Sequence, residues 1–201
     1  MKTYQKKYTN ADFYKDGKFQ AEVALQSYLD MFEFYGIPYT DYLKDNMFIS
    51  DFELGDFENV GMGGVFYVND QDHGYFGHDI YLLPGQMIVE HKHLPTETDP
   101  AKHEAWLVRN GSVVSFGIGD KTEGNPAIPA SQKDHVTVDH HCDPITEGNW
   151  AALTEIESCH FLMAGAEGAI VTEMGTFHDN AGLVFTNPAV VFTDILSEFR
   201  K

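Results

Sequence analysis

Basic residues are scarce in this chain: 13 lysines and arginines stand against 31 aspartates and glutamates in 201 residues, a formal charge of −18. A surface this acidic repels phosphates and anionic headgroups, which excludes nucleic acid and membrane surfaces as expected partners. Cysteine is scarcer still. Cys142 and Cys159 make no disulfide framework, and a reducing cytoplasm is the simpler setting. No apolar run is long enough to cross a bilayer, and the stretch from Met1 to Lys18 is polar and aromatic, so neither a membrane helix nor a signal peptide is expected. Internal repeats and low-complexity tracts are lacking too. With 43% hydrophobic residues, what remains is one globular domain, or one large barrel with an N-terminal extension.

Apolar residues recur at helical spacing only once, between Phe19 and Tyr35 (Val23, Leu25, Tyr28, Leu29, Phe32, Tyr35), and Gly36 and Pro38 stop the pattern. From Met47 onward short apolar or alternating runs are separated by Gly, Asp, Asn and Pro. Strands are expected at 47–53, 64–68, 75–82, 86–92, 104–109, 112–117, 135–138, 150–156, 159–163, 169–173 and 183–186. That many short strands predict an all-β barrel or sandwich. Residues 1–46 form an arm and helix that pack on it, 47–190 the barrel itself, and 191–201 a short C-terminal helix or tail. The polar segment 119–134, with Pro126 and Pro129, reads as a long loop, a lid or a dimer contact.

Histidine is plentiful, at ten residues. His91 and His93, in P-G-Q-M-I-V-E-H-K-H, are two apart and share one face of a strand. Glu104 opens the next apolar stretch. His160, polar between apolar neighbours at the start of a later strand, is the best candidate for a fourth ligand. Three imidazoles and a carboxylate suit Mn, Fe, Co, Ni or Zn and leave coordination positions open for chemistry. The bland alternative is a polar strand face. Adjacent His140 and His141 point to opposite faces of a strand and read as structural, and neither cysteine has an evident base partner.

These residues carry a resemblance. The block from Pro84 to His93, with Glu104 and the G-S-V that follows Asn110, resembles the first cupin motif, and the strand at His160 resembles the second. The spacing through P-A-K-H-E-A-W-L-V-R, the run H-F-L-M-A-G-A-E-G-A-I-V-T-E-M-G-T and the later F-T-N-P resemble the cupin-type D-lyxose isomerases. The resemblance implies a double-stranded β-helix (jelly-roll) barrel, a divalent metal with Mn2+ foremost, a homodimer, and interconversion of an unphosphorylated aldose and ketose: D-lyxose with D-xylulose, and D-mannose with D-fructose. Where the family pattern suggests Arg-Asp-Glu, this chain has His178, Asp179 and Asn180, which puts the sugar preference in question.

Isomerisation needs a base near the carbon and charge stabilisation at the oxygens. Glu173, on an apolar strand, is the first choice for the base, with burial expected to raise its pKa. A supporting contact to a metal histidine, or a surface position, are its alternatives. Lys102, where the resembling family has a lysine, is the candidate cation, or else a solvated loop residue. Trp106 shares strand parity with Glu104 and walls the pocket or fills the core. Arg109 contacts substrate or makes a structural ion pair. His78, His178 and Asp179 are candidates for sugar hydroxyls, or simply satisfied histidines and a surface acid. Two rival functions use the same ligands: a cupin Fe(II) dioxygenase and a non-catalytic sugar-binding cupin.

Overall fold

Two glycines shape the barrel. In the computed structural model, which describes residues 4, 5 and 7–192, the expected pairs 104–109/112–117 and 159–163/169–173 each run together into one long strand. Each bends at a glycine in the left-handed region, Gly111 (φ 74°) and Gly168 (φ 73°). A Cβ on Gly111 would lie 2.0 Å from the Gly168 carbonyl oxygen, so only glycine permits the approach. Gly111→Ala is expected to destabilise by about 2 kcal/mol or more, lowering Tm by roughly 4–8 °C in a thermal melt.

The elements in order are α1 (Asn10–Phe13), β1 (Tyr14–Lys15), β2 (Lys18–Phe19), α2 (Ala21–Tyr35), α3 (Asp41–Asn46), β3 (Phe48–Ser50), β4 (Met62–Asp70), β5 (Tyr75–Leu82), β6 (His91–His93), β7 (Glu104–Gly117), β8 (His140–His141), β9 (Ile145–Thr146), β10 (Trp150–Ala152), β11 (Phe161–Gly175) and β12 (Leu183–Phe185). The main sheet runs β10-β7-β11-β5-β4-β3, with β8 and β9 also on β7. β6 pairs with β12, and single bridges tie Met87 to Met163 and His91 to His160. Together these roll the antiparallel sheet around a core that includes Phe66, Ile80, Val108, Phe116, Phe161 and Val171. No helix among the described residues is long and apolar enough to cross a membrane.

Helix α2 starts two residues later than expected and ends with Gly36 in the left-handed cap position. Its buried stripe is Ala24, Ser27, Tyr28, Met31 and Phe32, a three-and-four spacing that packs on Tyr81 and Ile170 from the outer sheet face. Burying each large side chain contributes about 1.5–3 kcal/mol. The Tyr28 hydroxyl donates to Gln86 Oε1 (2.9 Å), and Gln86 Nε2 donates to the Phe57 carbonyl (2.5 Å). Gln86 of the P-G-Q turn therefore ties the helix to the segment that delivers His91.

Several expected strands are shorter. The 47–53 strand stops at Ser50, because Phe52 and Glu53 take positive φ. The 86–92 run is laddered only from His91, and 150–156 only to Ala152. Segment 135–138 is not a strand. Its backbone is held instead by buried Glu90, whose carboxylate accepts from the Thr137 and Val138 N–H groups and the Thr137 hydroxyl at 2.7–3.1 Å. The 119–134 loop is thus latched at its C-terminal end. Glu90→Gln turns an amide donor toward those donors. It is expected to cost about 2–3 kcal/mol and to accelerate amide hydrogen exchange at 137 and 138. Helices α1 and α3 and the β1–β2 hairpin form where only an arm was expected. The expected C-terminal helix lies, beyond Phe192, outside the described residues.

Candidate metal centre and active site

Backbone pairing delivers the first two imidazoles. His91 and His160 exchange both backbone hydrogen bonds (3.1 and 2.9 Å), so their side chains emerge opposite one another. His93 follows His91 on the same face. Glu104 opens β7 and projects to the same point. One ligand atom from each of the four lies within 4.8 Å of the others. The ring Nδ1 atoms of His91 and His160 contact the carbonyls of Val89 and Ser158, both at 2.9 Å. Those contacts fix the tautomer and leave each Nε2 for the cluster.

The electrostatics favour ligation. Burial, then the neighbouring His160 and His93, push the His91 imidazole well below its ordinary pKa, and burial likewise lowers His93. Both are neutral with lone pairs free. His93 Nε2 is buried 3.5 Å from Glu104 Oε2 and makes no well-directed hydrogen bond. Burial would raise the Glu104 pKa, but Lys102, His93 and His160 hold it well below the carboxylate range. His160 Nε2 sits 2.6 Å from Glu104 Oε1, and that carboxylate outweighs burial to raise the His160 pKa. A nitrogen without a well-directed hydrogen bond, two preset tautomers and an ionised carboxylate meeting at one buried point fit a divalent first-row ion.

Beside the cluster, three strands set a row across the inner sheet face. Glu173 on β11 is directly opposite His78 on β5 and Trp106 on β7. His78 Nε2 lies 3.1 Å from Glu173 Oε2, although neither ring nitrogen makes a well-directed hydrogen bond. The Trp106 indole N–H donates to the same oxygen at 3.3 Å. Lys102, fully buried, bridges the two carboxylates: its ammonium donates to Glu104 Oε2 at 2.5 Å and to Glu173 Oε1. It also sits 4.1 Å from the Phe76 ring centre. Burial would lower the lysine pKa, but the two carboxylates raise it, so the cation persists.

The Glu173 pKa differs from expectation. Burial and the Glu104 charge do push it up, but Lys102 and His78 pull it further down, and the net shift is downward. Burial is the largest single influence, and it takes Lys102, 71 positions away in sequence, together with His78 to overcome it.

A pocket of roughly 520 Å3, counting its open mouth, contains His78, His91, His93, Lys102, Glu104, Glu173 and His178. His160 and Trp106 stand directly behind, against Glu104 and Glu173. His178 presents a buried, unpartnered Nδ1, while its Nε2 contacts Asn180 Oδ1 at 2.8 Å. Two expected residues are elsewhere. Arg109 has odd parity relative to Glu104 and faces outward, 46% exposed, donating to Asp79 Oδ2 at 3.0 Å. Asp179 accepts from the Ala181 N–H at 3.1 Å and opens a helical turn at Asn180–Gly182. Sequence reasoning missed the apolar wall that begins beside His91 at Phe185, in which Phe48, Phe52, Phe185 and Phe192 come from separate segments. No periodic signal connects them.

No family model matches the chain. It is 36% identical over 149 residues to a D-lyxose/D-mannose isomerase of Thermosediminibacter oceani, covering 73% of this chain and 80% of that one. It is 30% identical to a D-lyxose ketol-isomerase of Cohnella laeviribosi over 80% of this chain and 87% of the relative. Among solved structures, the L-ribose isomerase of Acinetobacter sp. DL28 bound to L-ribose superposes with a TM-score of 0.63 at 12% identity, covering 83% of this chain and 91% of that one. The ligand-free L-ribose isomerase of Cellulomonas parahominis gives a TM-score of 0.60 at 15% identity, over 94% and 96% of the two chains. At these identities the structural likeness speaks to fold. The fold is the double-stranded β-helix of the cupins, with a small helical N-terminal extension.

Proposed function

The chain belongs to the cupin-type D-lyxose isomerase family and is a sugar isomerase, and from that premise we propose that it is metal-dependent and interconverts D-lyxose with D-xylulose and D-mannose with D-fructose. The observation that carries the reading is Glu173 clamped by Lys102 beside the four-residue cluster, with all of them but His160 lining one pocket. His91, His93, Glu104 and His160 would hold the ion, with Mn2+ the favoured metal. When bound, the ion supplies Lewis-acid stabilisation of negative charge on the first two sugar oxygens.

The chain's own side chains do the rest. Glu173, kept ionised by Lys102 and His78, takes a proton from C2 of the open-chain aldose and returns it to C1 through an enediol, while the O2 hydroxyl proton passes to O1. The Lys102 ammonium faces the developing oxyanion without a proton having to move first. Trp106 and His78 hold the Glu173 carboxylate in place. His178 Nδ1 is available to a sugar hydroxyl. Arg109 and Asp179 take no part. The reading extends to a cytoplasmic homodimer, and light scattering checks the dimer.

Metal-loaded protein incubated anaerobically with D-lyxose and D-mannose is expected to form ketose, read by chromatography. Oxygen uptake with an organic substrate and no ketose would favour the dioxygenase instead.

A further inference from the structure

The pocket has polar character at one end only. Every charged or hydrogen-bonding side chain that lines it among the described residues lies in the cluster around Glu104, Lys102 and Glu173, or touches it. His78 meets Glu173, and the His178 ring centre is 5.2 Å from that of His93. The remainder of the lining is apolar, aromatic and aliphatic side chains with the thioether of Met62. Phe185 packs on His91 (ring centres 6.0 Å apart) and on Phe52 (6.0 Å). Phe192 packs on Phe52 (5.7 Å) and Phe185 (6.0 Å). Across the cavity Phe48 stacks on Phe66 at 5.0 Å, and Phe66 stacks on His78 at 5.0 Å. Phe48 and Phe52 are buried and Phe185 and Phe192 half-buried, so among the described residues this end offers aromatic carbon and no polar side chain.

Resting on the proposed reaction, we infer that the pocket is built for aldoses whose carbon farthest from the carbonyl is a methyl group: 6-deoxyhexoses ahead of the parent hexoses. The reaction places C1 and C2 at Glu173 and the cluster. The other end of the extended sugar then runs toward the phenylalanine wall. A terminal hydroxymethyl there exchanges water for aromatic carbon and finds no hydrogen-bonding side chain among the described residues. A terminal methyl gains apolar contact instead. An unpaired hydroxyl of this kind costs on the order of tenfold to a hundredfold in discrimination. A terminal phosphate is disfavoured more strongly, because no cation lines that end among the described residues.

The test compares D-mannose with 6-deoxy-D-mannose. Both close to a pyranose, so ring opening does not bias the pair. With metal-loaded protein, kcat/KM for the 6-deoxy sugar is expected to exceed that for D-mannose by tenfold or more. The matched alditols, D-mannitol and 6-deoxy-D-mannitol, which cannot isomerise, should show the same order as competitive ligands. Phe185→Tyr, which adds a hydroxyl to the wall, is expected to shrink the ratio at least threefold. A ratio below tenfold, or in favour of D-mannose, overturns the inference and leaves the isomerase reading standing. A ratio unmoved by Phe185→Tyr overturns the role given to the wall. No ketose from either sugar overturns the inference together with the reaction it rests on.

Discussion

Glu173→Gln is expected to lower kcat by about 10²- to 10⁴-fold while metal content stays near that of the parent protein. The amide is the same size, and its oxygen still accepts from Lys102. What it loses is the ability to bind the proton. Glu173 is not among the four residues of the cluster, so metal analysis of the purified variant should return the same stoichiometry. A group that only braced a ligand histidine would show the opposite pattern, with lost metal and a rate recovered by adding more. A loss of less than tenfold at saturating metal and substrate would remove Glu173 from the base role.

Lys102→Met should have the second-largest effect, in two separable ways. Removing the ammonium leaves Glu104 and Glu173 buried without their shared cation. In the metal-free protein this is expected to cost about 3–5 kcal/mol in urea denaturation. The second effect is on the pH profile. Burial and Glu104 raise the Glu173 pKa, and Lys102 and His78 oppose them. Without Lys102 the carboxyl gains its proton at higher pH, so the acidic limb of kcat/KM moves upward. A variant with an unshifted acidic limb would show that Lys102 does not set the ionisation of Glu173.

Particular residues show how much of this was legible in the sequence. Two-residue spacing placed His91 and His93 on one face, and an out-of-pattern histidine before an apolar run marked His160. The helix near 19–35 announced itself by periodicity and by Gly36. The alternation from Glu104 also contained the answer for Arg109: residues 104, 106 and 108 point inward and 109 does not. Other features depend on contacts that no local pattern encodes. Strands β7 and β11 look interrupted because their glycines bend rather than end them. Residues 135–138 leave a turn closed on the Gln132 carbonyl and satisfy two of their N–H groups on the Glu90 side chain, 47 and 48 positions earlier, instead of on a ladder. The net charge on Glu173 was decided by Lys102, and the phenylalanine wall gathers residues from β3, the turn after it, β12 and the segment beyond.

The most direct test is a titration. Protein stripped with a chelator is mixed with increasing Mn2+, and ketose formation from D-lyxose is followed at each addition. A chain whose His91, His93, Glu104 and His160 converge on one catalytic ion should be inactive when stripped and gain activity in proportion to metal. The gain should break sharply at one equivalent per chain. Full activity in the stripped protein, or a plateau at some other stoichiometry, would contradict that convergence.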